Sequence, residues 1–178
     1  MTPRVGVVLP PGWRRINLAA ANDDVIRQLA IGVDAAGQSR LIPEMRSTIV
    51  ALRDSNTIFA AVMELTVEPV SLAASLLISE MPDQPQSLAA IELELRVEGD
   101  GRSFRPISLR VGPALEVTEV SNVEIGATGE LIPGFSCQIF VPGPVRGGLA
   151  LSFATPHLTL SDRFLTVFRS IAETLTVH

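Results

Sequence analysis

Between Cys137 and Leu175 the chain passes from strand-like to helical hydrophobic patterning, and this stretch constrains its folding more than any other. Cys137-Gln138-Ile139-Phe140-Val141 reads as an apolar strand, Pro142-Gly143 turns it, and Leu149-Ala150-Leu151-Ser152-Phe153 returns as a second strand. From near Ser161 to Leu175 the spacing becomes that of a helix. Leu160, Phe164, Val167, Phe168, Ile171 and Leu175 fall on one stripe, with Asp162, Arg163, Arg169 and Glu173 off it. A helix of this length draws its stability from docking its apolar face. It is therefore expected to lie across a sheet, with Phe164 and Phe168 in the core beside Leu151 and Phe153, and with Ser161 or Thr159 as its cap.

A chain of 178 residues suffices for a single domain over 1–178 that needs no disulfide or metal to hold it. The apolar fraction of 47%, taken with 13 glycines, exceeds the usual roughly 45–50%, an excess that an efficient core rich in Ala, Val, Leu and Ile accounts for, with burial against a partner as the alternative. All 14 basic residues are Arg, with no Lys and no Tyr, which points to a GC-rich bacterial genome. A net charge of −5 argues against nucleic-acid binding, which needs clustered basic side chains; the doublet Arg14-Arg15 is too small for that task. No apolar run approaches the ~18 residues that span a bilayer, and Val5 to Leu9 is too short for a secretory core. The lone Cys137 can form no internal disulfide. The expectation is a cytoplasmic protein with a buried structural thiol.

Along the chain, Val5 to Leu9 reads as a first strand closed by Pro10-Pro11-Gly12, with Trp13 and Ile16 resuming the apolar pattern. Asn22 and Pro43 open two expected helices, the first ended by Gly37. Thr57 to Leu65 and Ser71 to Glu80 are β-branched and apolar runs expected to pair antiparallel. Ser87 can cap a short helix carrying Leu88, Ile91 and Leu95, although Ile91, Leu93, Leu95 and Val97 also alternate as a strand would. Strands are expected at Ile107–Val111, Ala114–Val123, Ser136–Val141 and Leu149–Phe153, with Gly126 to Gly134 as an exposed hairpin tip or loop.

The order of strand, Pro10-Pro11-Gly12-Trp13 turn, helical hairpin and antiparallel strands resembles actinobacterial proteins of the Mog1/PsbP-like fold. So do Val141-Pro142-Gly143, Leu151-Ser152-Phe153-Ala154-Thr155-Pro156 and the terminal helix ending Ile171-Ala172-Glu173-Thr174-Leu175, the match being strongest over about 136–176. The resemblance implies an α+β fold, a central and mostly antiparallel β-sheet flanked by helices in an α/β/α sandwich. It implies no catalytic signature and no cofactor. The Ran-binding and metal-related roles of distant members find no matching residues here.

Candidate chemistry is sparse. His157 could serve a catalytic centre with Asp162 as orienter and Ser152 or Ser161 as nucleophile, but neither serine sits in a Gly-x-Ser-x-Gly turn. Glu92, Glu94 and Glu98 lack the spacing of a calcium loop, and Gly143, Gly147 and Gly148 lack a phosphate-binding pattern. Neither a metal nor a cofactor is expected. Two readings follow: a non-enzymatic accessory or interaction protein engaging a protein partner or a second copy, or a small-ligand binder or enzyme with a pocket between sheet and helices. For that pocket or interface the candidate residues are Trp13, Arg105, Arg110 and His157.

Overall fold

Apolar, β-branched runs joined by Gly- and Pro-rich links favour strands that pair with their chain neighbours, and the computed structural model is built in this way. It describes residues 4–19, 56–67, 70–81, 87–96, 101–125, 130–143, 145 and 147–178. The helical hairpin expected between Asn22 and Asp54 lies outside them.

A seven-stranded antiparallel sheet dominates the fold. Strands β2 (Trp13–Ile16), β3 (Thr57–Val67) and β4 (Val70–Glu80) form one meander. Strands β5 (Ser103–Leu109), β6 (Gly112–Ile125) and β7 (Glu130–Val141) form another. Strand β8 (Leu149–Thr155) lies between them and gives the order β2-β3-β4-β8-β7-β6-β5. A separate two-residue pairing joins β1 (Val5–Gly6) to β9 (Thr176–Val177), locked by reciprocal backbone bonds of 3.0 Å between Arg4 and His178.

Two helices flank the sheet among the described residues. Helix α1 (Leu88–Leu95) takes the helical alternative: Ser87 Oγ accepts the Ala90 N–H, and Ile91 buries against Leu115 and Val117. Helix α2 (Ser161–Glu173) covers the other face, where Ala114, Glu116 and Thr118 alternate with those residues. Its Phe168 stacks on Phe153 with ring centroids 4.7 Å apart and meets Phe164 at 5.7 Å and Trp13 edge-on at 6.4 Å. Phe164, Phe168, Ile171 and Leu175 are buried with Leu151 and Phe153, as the sequence pattern requires. The chain is thus α+β with a mostly antiparallel sheet.

Several boundaries differ from the sequence expectation for identifiable reasons. The first strand stops at Gly6, because β9 offers two residues to pair with and the Val8 N–H turns instead to Thr174 Oγ1 at 2.8 Å. Neither Ser161 nor Thr159 caps α2. Its N-cap is Leu160, with no side-chain bond, because a 3₁₀ turn at Leu158–Leu160 feeds straight into the helix. Strand β5 runs over Ser103–Leu109, so that Arg110 and Val111 form the turn to β6. The expected loop from Gly126 to Gly134 is strand from Glu130 onward, paired with β6 from Ile125↔Glu130 to Ser121↔Gly134. Pro133 is tolerated there because its nitrogen faces away from β6, where no ladder bond is lost.

Candidate binding cleft

Strand β8 is shorter than both of its neighbours, and the cleft follows from that difference. Its pairing with β4 ends at Ser75↔Ala154 and with β7 at Phe135↔Thr155. Strands β4 and β7 run on beyond those points as arms of the β3–β4 and β6–β7 hairpins. The space between the arms is a cavity of about 510 Å3 with Ala154, Thr155 and Pro156 at its floor.

Pro156 explains why β8 stops. Continuing the β4–β8 register by two residues sets Pro156 opposite Ala73, where a ladder would require an N–H that proline lacks. Side chains complete the rung instead. Thr155 Oγ1 donates to the Ala73 carbonyl at 2.8 Å, and His157 Nε2 accepts the Ala73 N–H at 3.0 Å. The His157 N–H donates to Thr155 Oγ1 at 3.3 Å, and the imidazole stacks on Phe164 with centroids 6.0 Å apart.

The cleft has two chemically distinct walls. On the α2 side lie Met63, Leu72, Ala74 and Phe135. On the other side, in alternation with them, lie small residues, Ser71, Ala73, Ser75, Ser121, Ser136 and Ala154, with Val62 beside them. Arg14 and Glu64 flank the serine side with an ion pair of 3.9 Å, both side chains a third or more exposed. A pair so exposed contributes little to stability.

The four residues singled out from the sequence do not converge. Trp13 is buried in the core on β2, at one edge of the sheet, while Arg105 on β5 and Arg110 in the β5–β6 turn are exposed at the opposite edge. None of the four lines the cleft; His157 follows its last lining residue, Pro156, and its Nε2 is engaged by the Ala73 backbone N–H. Ser152 lies on the sheet face opposite His157, since Leu151 and Phe153 on either side of it point toward α2. Asp162 is exposed in the first turn of α2. Glu92 pairs with Arg96 along α1, Glu94 is exposed, and Glu98 lies outside the described residues. No three His, Cys, Asp or Glu residues among those described could hold a metal ion.

One polar cluster had no forecast from the sequence. Glu116, 2% exposed at an inward position of β6, receives Nε and Nη2 of Arg169 from α2, each at 2.6 Å. The Arg169 pKa is raised above its ordinary value, chiefly by these hydrogen bonds. Burial pushes the neighbouring Cys137 thiol up to about 12, with Glu116 adding to the rise and Arg169 opposing it. Such a thiol is no nucleophile at neutral pH. The available signal was a carboxylate between Leu115 and Val117, in register with Ala114, in the most apolar part of β6.

Compared with known families and with curated proteins, the chain matches no family model and no curated sequence. No described helix is long and apolar enough to cross a membrane.

Proposed function

We propose that the chain is a non-enzymatic interaction domain of the Mog1/PsbP-like fold, acting in the cytoplasm, whose partner occupies the cleft between the β3–β4 and β6–β7 hairpins. The observation that carries this reading is the cleft itself, a pocket of about 510 Å3 whose one wall is apolar and whose rim continues into exposed apolar side chains. Leu65, 42% exposed, and Val120, 61% exposed, stand on the outer strands of the two arms. The titratable groups in and near the cleft have partners or are buried: Arg14 pairs with Glu64, His157 with Ala73 and Glu116 with Arg169, and Cys137 is buried. The volume also suits a small apolar ligand, since ligand pockets span roughly 300–1,000 Å3. Native mass spectrometry of the protein gently isolated from its own source separates the two. A retained protein chain or a homo-oligomer that dissociates in the Ala154→Trp variant supports the interaction reading, Ala154 being exposed at the cleft floor. A monomer carrying a small molecule that Ala154→Trp expels assigns the cleft to ligand binding instead.

A further inference from the structure

The backbone of the cleft specifies its occupant more closely than its side chains do. Resting on the reading of this cleft as the binding site, the geometry points to an extended peptide segment of a partner protein, inserted between β4 and β7 in line with β8. Its sequence would alternate apolar residues with small hydroxylic ones.

Hydrogen-bond direction supplies the first argument. The Glu64 N–H bonds back to Gly12 beside β2, so Ala73, its register partner, directs its own backbone groups away from β3, toward the β8 side. Two residues further, Ser71 points its N–H and carbonyl the same way, beyond the end of β8. Across the gap, the alternation that pairs Phe135 with Thr155 aims the Pro133 carbonyl, and then the Leu131 backbone, into the same space. Among the described residues no strand meets these groups. They lie where the neighbours of a longer β8 would lie, and strand addition to such an edge is an established mode of peptide recognition. The blocking of Ala73 by Thr155 and His157 fixes where the inserted strand must start.

The second argument comes from the walls. Side chains of an extended segment alternate between the two faces of the sheet. On the α2 side they meet Leu72 and Phe135, and on the other side Ser71, Ser121 and Ser136. Large apolar side chains suit the first wall and small ones such as serine the second, so an alternating segment fits where a uniformly bulky one does not.

The test uses the full chain and the peptide acetyl-Val-Ser-Val-Ser-Val-amide, together with the same peptide N-methylated at alternate amides. Binding is followed by amide chemical shifts and hydrogen exchange. The expected result is saturable binding of the plain peptide below about 1 mM, at least tenfold slower exchange of the Ser71 amide, and at least tenfold weaker binding of the methylated peptide. Ser71→Pro removes the cleft-facing N–H together with the hydroxyl and should weaken binding to at least a similar extent, with Ser71→Ala as the control for the hydroxyl; the methylated peptide gives the same information on the unmodified protein should Ser71→Pro misfold. Equal binding of both peptides, lost in Ala154→Trp, would overturn strand insertion while leaving the cleft as the site. Peptide binding that persists in Ala154→Trp would overturn the cleft reading itself, and absence of binding by the plain peptide would overturn strand insertion.

Discussion

Replacing Arg169 by Met isolates the contribution of the one buried charge pair beneath α2. The change keeps an unbranched stem of comparable length but leaves Glu116, 2% exposed, without its two 2.6 Å hydrogen bonds. Removing one partner of a buried ion pair costs about 3–5 kcal/mol, because the remaining charge stays desolvated. Arg169 is itself 34% exposed, so water can reach the vacated position and the low end applies. A loss of about 3 kcal/mol should lower Tm by about 6–12 °C in a domain of this size. Urea unfolding measures it directly, with an unchanged m-value showing that the native state is otherwise intact. The double variant Glu116→Met with Arg169→Met should recover most of the loss, since an apolar pair avoids the desolvation altogether. A single-variant loss below about 1 kcal/mol would refute the reasoning, because Glu116 would then not depend on Arg169 for its place in the core.

Phe168→Ala should cost about 3–5 kcal/mol in the same assay, since the ring is fully buried and stacks on Phe153; a near-neutral result would mean that α2 does not dock as described. Gly148→Ala should cost at least about 2 kcal/mol, since φ there is +102° and a Cβ would sit 2.7 Å from the Val141 carbonyl oxygen. Thr155→Val should cost about 1–3 kcal/mol by leaving the Ala73 carbonyl unpaired, and should speed exchange of the His157 amide. Because folding raises the Cys137 pKa from 9.0 to about 12, its protonated form stabilises the fold fully below pH 9, and that stability declines as pH rises toward 12. Stability against pH in Cys137→Ala should lack this decline, and an identical alkaline slope in both proteins would show that the thiol is not its source.

The long strands and the aromatic face of α2 were legible because local periodicity encodes them, whereas the α1 segment carried both periods and its Ser87 cap favoured the helix. Phe164, Phe168 and Ile171 repeat at helical spacing, and Leu149, Leu151 and Phe153 alternate as a strand with one buried face must. What period alone leaves open is partnership. The β7–β8 hairpin is local, but the pairing of β8 with β4 joins segments far apart in the chain, and without it neither the cleft nor the order of the sheet can be inferred. Trp13, Arg105, Arg110 and His157 were chosen for residue type, and type carries no information about which edge of a sheet a residue occupies. Glycine and proline misled in one place for a physical reason. Pro133 and Gly134 look like loop, yet they sit in β7 where the side facing the cleft requires no donor.

The two prolines beside the cleft act together. Pro156 ends β8 one residue past Thr155 because it cannot supply the N–H that Ala73 would accept, and Pro133 removes the donor from the facing strand at the same depth. An antiparallel sheet without them could extend β8 between its neighbours and close the gap with the chain's own backbone. The rung at Ala73 is instead completed by a hydroxyl and an imidazole, which satisfy its N–H and carbonyl without adding a strand. Beyond that rung the serine-lined and apolar walls continue with backbone groups still directed inward. A merely protected edge would be expected to carry charge or proline throughout. Here the blocking stops after one residue on β4, and among the described residues no strand pairs with Ser71 on that side, which is the arrangement a strand-accepting site requires.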